Sequence, residues 1–103
     1  MEKKDFEKII AQVKKHNKYS ENMDTVEECD KYEQWTPIDL ICREYLNNGG
    51  GSARGFLGIT PKKCEDAYHY IVDHNKEIYD QGLLSQDGYN NSGFPLWKGG
   101  VLK

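Results

Sequence analysis

Two helix starts of the same design, Thr36-Pro37 and Thr60-Pro61, stand on either side of a glycine-rich segment, and together they limit what this chain can fold into. A threonine just before a helix accepts a hydrogen bond from one of the free amides of the first turn. A proline at the first helical position loses nothing, because its amide would be unpaired there, and its fixed φ already suits the helix. Between the two starts lies Asn47-Asn48-Gly49-Gly50-Gly51-Ser52-Ala53-Arg54-Gly55-Phe56-Leu57-Gly58-Ile59, which opens with a helix stop and carries too many glycines for a long helix. The pattern predicts a helix, a short elbow and a second, longer helix.

Apolar spacing supports both helices. After Thr36, the residues Ile38, Ile41, Cys42, Tyr45 and Leu46 fall on one face, and Asp39 suits the positive end of the helix. After Thr60, one face holds Cys64, Ala67, Tyr68, Ile71, Val72, Ile78 and Tyr79, running to about Asp80, with Gln81-Gly82 as the stop. Trp35 precedes the first cap and is placed to pack as a hydrophobic staple.

Towards the N-terminus, Phe6, Ile9, Ile10 and Val13 form a narrow stripe, predicting a helix from about Asp5 to about Asn17 that packs at an edge of the core. Lys4, Lys8, Lys14, Lys15 and Lys18 occupy its other side. Residues 21–33 reverse the charge, with Glu21, Asp24, Glu27, Glu28, Asp30 and Glu33 opposed only by Lys31. The two segments can neutralise each other across a hairpin. Thr25-Val26-Glu27-Glu28 reads as a capping box, and Met23, Val26, Cys29 and Tyr32 at intervals of three predict a short helix. From Leu83 to Lys103 the character changes. Gln86-Asp87-Gly88-Tyr89 and Asn90-Asn91-Ser92-Gly93 are turn signals, and Phe94-Pro95-Leu96-Trp97 is apolar but broken by proline. The expected fold is mainly α: one small four-helix domain over residues 1–103, with N-terminal helices in 1–35, the helix–elbow–helix in 36–82, and a loop-rich or short β-hairpin tail in 83–103, anchored by Trp97.

Composition narrows the function. A length of 103 residues with 37% hydrophobic content fits a single small domain with a modest core. The net charge of -3 argues against a whole-protein electrostatic grip on nucleic acid. No apolar run approaches the roughly 20 residues that span a bilayer, and no signal-peptide stretch follows Met1. These features lead to the expectation of a cytoplasmic protein without membrane contact. Cys29, Cys42 and Cys64 form no CxxC and read as reduced core residues. No local signature joins any of them to His16, His69 or His74, so the chain is read as non-enzymatic. Asp66, His69, Asp73 and Glu77 share a polar arc, which reads as a solvated helix face because no second ligand helix is evident, and no metal is expected. The glycine-rich elbow lacks the lysine beside Ser/Thr of a phosphate loop, so it reads as a connector and no cofactor is implied.

Part of the chain resembles a winged helix-turn-helix domain over about residues 36–97. Asp39-Leu40-Ile41-Cys42-Arg43-Glu44-Tyr45-Leu46-Asn47-Asn48-Gly49 looks like that family's first helix, and Ser52-Ala53-Arg54 like the opening of the second. Leu57-Gly58-Ile59-Thr60 looks like the turn, Pro61 onward like the recognition helix, and Gly82 to Gly88 like the strand and wing. The resemblance implies DNA binding, with Lys62 and Lys63 at the major groove and Ser52 and Arg54 on phosphates. Charge points elsewhere. Glu65-Asp66 follow the two lysines, and Leu84 to Trp97 contains no Lys or Arg. The favoured expectation is therefore a small regulator or inhibitor that binds a protein partner with a basic surface, as phage-encoded inhibitors of nucleic-acid-handling machinery do. Its contact set is Glu21, Asp24, Glu27, Glu28, Asp30 and Glu33 with Tyr32 and Trp35. A winged-helix-like DNA-binding regulator is the alternative.

Overall fold

A computed structural model describes residues 1–17, 24–32 and 34–93, with the backbone alone at 32, 56 and 91–93. It places seven helical segments in order: α1 Lys3–His16, α2 Val26–Tyr32, α3 Pro37–Asn48, α4 Ala53–Phe56, α5 Pro61–Asp73, α6 Asn75–Asp80 and α7 Gln86–Gly93. There is no strand among the described residues, and none of the helices is long and apolar enough to cross a membrane. Both Thr-Pro signals act as expected. Thr36 Oγ1 accepts from the Asp39 amide at 3.0 Å, and Thr60 Oγ1 accepts from the Lys63 amide at 3.2 Å. Glu28 N donates to Thr25 Oγ1 at 3.2 Å, which is the threonine half of the capping box that opens α2.

Helices α3 and α5 pack along one another, α1 lies against both, and α7 lies against α3, α5 and α6. Ile38, Ile41 and Cys42 from α3 meet Cys64, Ala67, Tyr68 and Ile71 from α5 in the core, with Phe6, Ile9 and Val13 supplied by α1. The stripe on α1 is narrow, as its sequence requires of an edge helix. The elbow becomes the single turn α4, whose first residue Ala53 is buried, as are Leu57 and Ile59 just after it. One pair of opposite charges from the two N-terminal segments meets, Lys14 Nζ lying 2.8 Å from Asp24 Oδ1.

Two expectations are corrected. The long helix after Thr60 is interrupted at His74, which leaves helical backbone at φ -123 and ψ 19. Its ring stacks on Tyr70 at 4.0 Å, Tyr70 stacks on Phe6 at 4.3 Å, and His74 Nδ1 lies 2.9 Å from the Tyr70 carbonyl. A side chain bonded to a backbone carbonyl competes with the helical ladder at that point. The second correction concerns the tail. Residues 86–93, read as turns and as part of a strand and wing, are helical instead. Ser85 starts this helix by accepting from the Gly88 amide at 3.0 Å through its hydroxyl. Gly88 serves space rather than a turn, because a Cβ there would sit 2.5 Å from Asp39 Oδ1 and from Leu84 Cδ1. Phe94-Pro95-Leu96-Trp97, including the expected anchor Trp97, lies outside the described residues.

Helix α1 meets the elbow at Gly58. Gln12 Nε2 donates to the Gly58 carbonyl at 2.6 Å, and a Cβ on Gly58 would lie 2.7 Å from the His16 ring. Gly58 also has φ +74, where a side chain costs about 1–2 kcal/mol before any clash. Gly58→Ala is therefore expected to lower stability to urea by roughly 2 kcal/mol or more. In a His16→Gly background, which removes both the ring and the Cβ that would lie 2.8 Å away, Gly58→Ala should cost only the backbone penalty. A loss as large in that background would show that His16 is not what excludes a side chain.

Candidate functional site

The acidic helix α2 has one side buried and one side free. Cys29 is buried, while Glu27, Glu28, Asp30 and Lys31 are exposed. The Val26 amide donates to the Gly82 carbonyl at 2.8 Å, fixing the start of the helix, and the Gln34 amide donates to the Cys29 carbonyl at 2.8 Å, turning the chain toward Trp35. No ion pair joins Glu27, Glu28 or Asp30 to a cation among the described residues, whereas Asp24 is paired with Lys14. Glu21 and Glu33 lie outside the described residues, as does the side chain of Tyr32.

Trp35 is 37% exposed. The Arg43 guanidinium carbon stands 4.5 Å from the centre of its ring, in a cation–π contact. Trp35, Leu40, Arg43, Glu44 and Asn47 line a cavity of about 310 Å³. Glu44 is 8% exposed, and Asn48 Nδ2 donates to its Oε1 at 3.3 Å. Leu46, on the same helix, is exposed. Arg43 and Glu44 were not singled out from the sequence. A signal existed, because Arg43 follows the cap Thr36 by seven residues, two helical turns, on the side where the chain reaches α3.

The residues implied by the winged-helix resemblance are exposed but engaged differently from one another. Lys62 Nζ pairs with Asp66 Oδ1 at 3.1 Å, and that hydrogen bond pushes the lysine pKa up. Lys63 lines a groove of about 560 Å³ between α1 and α5, which it shares with Asp5, Asp66 and Asp73. The Ser52 hydroxyl accepts from Asn48 Nδ2 at 3.2 Å, and Arg54 is exposed on α4. A basic face suited to phosphate needs cations without carboxylates between them. The polar arc of α5 is divided likewise. Asp66 is held by Lys62, His69 Nε2 lies 3.9 Å from Glu65, and the break at His74 puts Glu77 on another helix. Among the described residues no three His, Cys, Asp or Glu side chains are arranged to hold a metal ion.

The thiols are placed for packing. Cys29, Cys42 and Cys64 are all buried and none is in a disulfide. Burial, aided by Asp39 and the α2 carboxylates, pushes the Cys29 thiol up to about 11. Burial pushes Cys64 up to about 11 and Cys42 well above its usual value. Such thiols are mostly protonated near neutral pH and make poor nucleophiles.

No family model matches this chain, and neither a curated protein nor a solved structure matches it. In the folded protein at pH 8, the three thiols are expected to react with a disulfide reagent on the order of 100-fold more slowly than after unfolding in urea. One cysteine reacting at the unfolded rate would reopen the case for thiol chemistry.

Proposed function

We propose that this protein works without catalysis, as a small regulator or inhibitor that binds a basic surface of a protein partner through α2 and Trp35. The observation that carries this reading is the exposed Trp35, in contact with Arg43, three residues beyond a helix whose Glu27, Glu28 and Asp30 are exposed and in no ion pair among the described residues. Tryptophan and arginine are the side chains most often responsible for binding energy at protein interfaces. Free carboxylates around them speed encounter with a basic partner and discriminate against an acidic one. Machinery that handles nucleic acid offers basic grooves of this kind, and an acidic surface suits competition for one.

The test is capture of partners from a lysate by the immobilised protein. A basic protein should be retained, and Glu27→Lys with Glu28→Lys should reduce its recovery at least tenfold, while duplex DNA is not retarded even at low salt. Retardation of duplex DNA with a steep salt dependence, abolished by Lys62→Glu, would overturn this reading in favour of the winged-helix alternative.

A further inference from the structure

The cavity beside Trp35 has a chemistry narrower than a general contact surface requires. One wall is an indole face, which attracts a cation. Another is Leu40, against which the methylene stem of a long basic side chain can lie. The third is Glu44, nine-tenths buried, whose Oε1 accepts from Asn48 Nδ2 at 3.3 Å. At about 310 Å³ the space is at the small end of ligand pockets, the scale of one long side chain rather than of a cofactor. A carboxylate and a π surface lining one cavity are the groups that hold a guanidinium or ammonium, since one supplies the counter-charge and the other a weakly hydrated platform.

Arg43 already displays the contact, with its guanidinium carbon 4.5 Å from the ring centre. Among the described residues this guanidinium has no ion pair with a carboxylate, and the residue is exposed. A contact of this kind at the surface is weak and readily exchanged. We infer that the Trp35 cavity receives an arginine or lysine side chain of the basic partner, and that Arg43 occupies its place in the free protein. This rests on the proposed function, for it names the group that the acidic surface of α2 would guide in. Glu27, Glu28 and Asp30 lie a short way before Trp35 in the chain and supply the complementary charge. Arg43 must leave the ring when the partner's cation arrives, since two like charges cannot share one face. Binding therefore carries a built-in competition that a smaller residue at 43 removes.

The probe is an acetylated, amidated heptapeptide of alternating glycine and arginine, with a glycine–glutamine peptide as control. Binding is followed by titration calorimetry and by the indole N–H resonance of Trp35 in a Trp97→Phe background. The arginine peptide should bind and shift that resonance, and the glutamine peptide should do neither. Trp35→Leu should weaken binding at least tenfold, while Arg43→Ala should tighten it several-fold and Arg43→Lys change it little. Circular dichroism and the melting temperature would establish that each variant is folded. If the arginine peptide does not bind, or if Arg43→Ala fails to tighten it, the inference is wrong. If Trp35→Leu and Arg43→Ala have no effect while Glu27→Lys with Glu28→Lys still weakens binding, the cavity is not used and the acidic contact stands. If all these changes are without effect, both readings fall.

Discussion

A single buried carboxylate oxygen joins the two halves of this fold. Asp39, 4% exposed in the first turn of α3, accepts through Oδ1 from both the amide of Ser85 at 3.1 Å and its hydroxyl at 2.9 Å. The same Ser85 hydroxyl accepts from Gly88 and so opens α7. Burying a carboxylate is costly, and burial raises the Asp39 pKa even though hydrogen bonds from Ser85 and Thr36 pull the other way. The sign follows directly. The folded state holds the Asp39 proton more tightly than the unfolded chain does. The contribution of this group to stability is therefore largest below the ordinary value of 3.8 and declines as pH rises through the raised folded value. The carboxyl is kept in place by its donors, and what it provides is the position of α7.

That position reaches the surface where the partner is proposed to bind. Leu84 is buried and Gly88 lies against Asp39, so the segment from Gly82 to Gly88 is tightly placed. The Gly82 carbonyl in turn receives the amide of Val26, the first residue of α2. Cys29 of α2 is near enough to Asp39 for the carboxylate to help raise its thiol pKa. The acidic helix is thus held at its start by a backbone bond and from beneath by buried Cys29, with Glu27, Glu28 and Asp30 in no ion pair among the described residues. A surface that owes its place to a few contacts can present charge at little cost to the core.

Local chemistry was legible in the sequence, and long-range chemistry was not. Thr36-Pro37, Thr60-Pro61 and Thr25 specify helix starts through atoms within one turn, and each threonine accepts the amide three residues on. Gly88 looked like a turn residue because glycine usually marks freedom of φ. Its actual role depends on Asp39, far away in sequence, which leaves no room for a Cβ. The break at His74 coincides with a ring stack that runs through Tyr70 to Phe6 of α1, likewise distant in sequence. At the candidate site, the acids of α2 and Trp35 stand out as a charge run and an aromatic beside it. The cavity beside Trp35 needed Arg43 and Glu44 to be brought to one side of α3 by the helix itself.

The dependence of the fold on the Asp39–Ser85 contact is tested most directly by a double-mutant cycle in urea. Asp39→Ala, Ser85→Ala and the double variant would be compared with the unaltered protein. Because a hydrogen bond to a charged group is worth about 1.5–3 kcal/mol, the account predicts that Asp39→Ala alone loses at least that much, and that the two changes are coupled by about 1 kcal/mol or more. Additive losses, or an Asp39→Ala variant as stable as the unaltered protein, would contradict it.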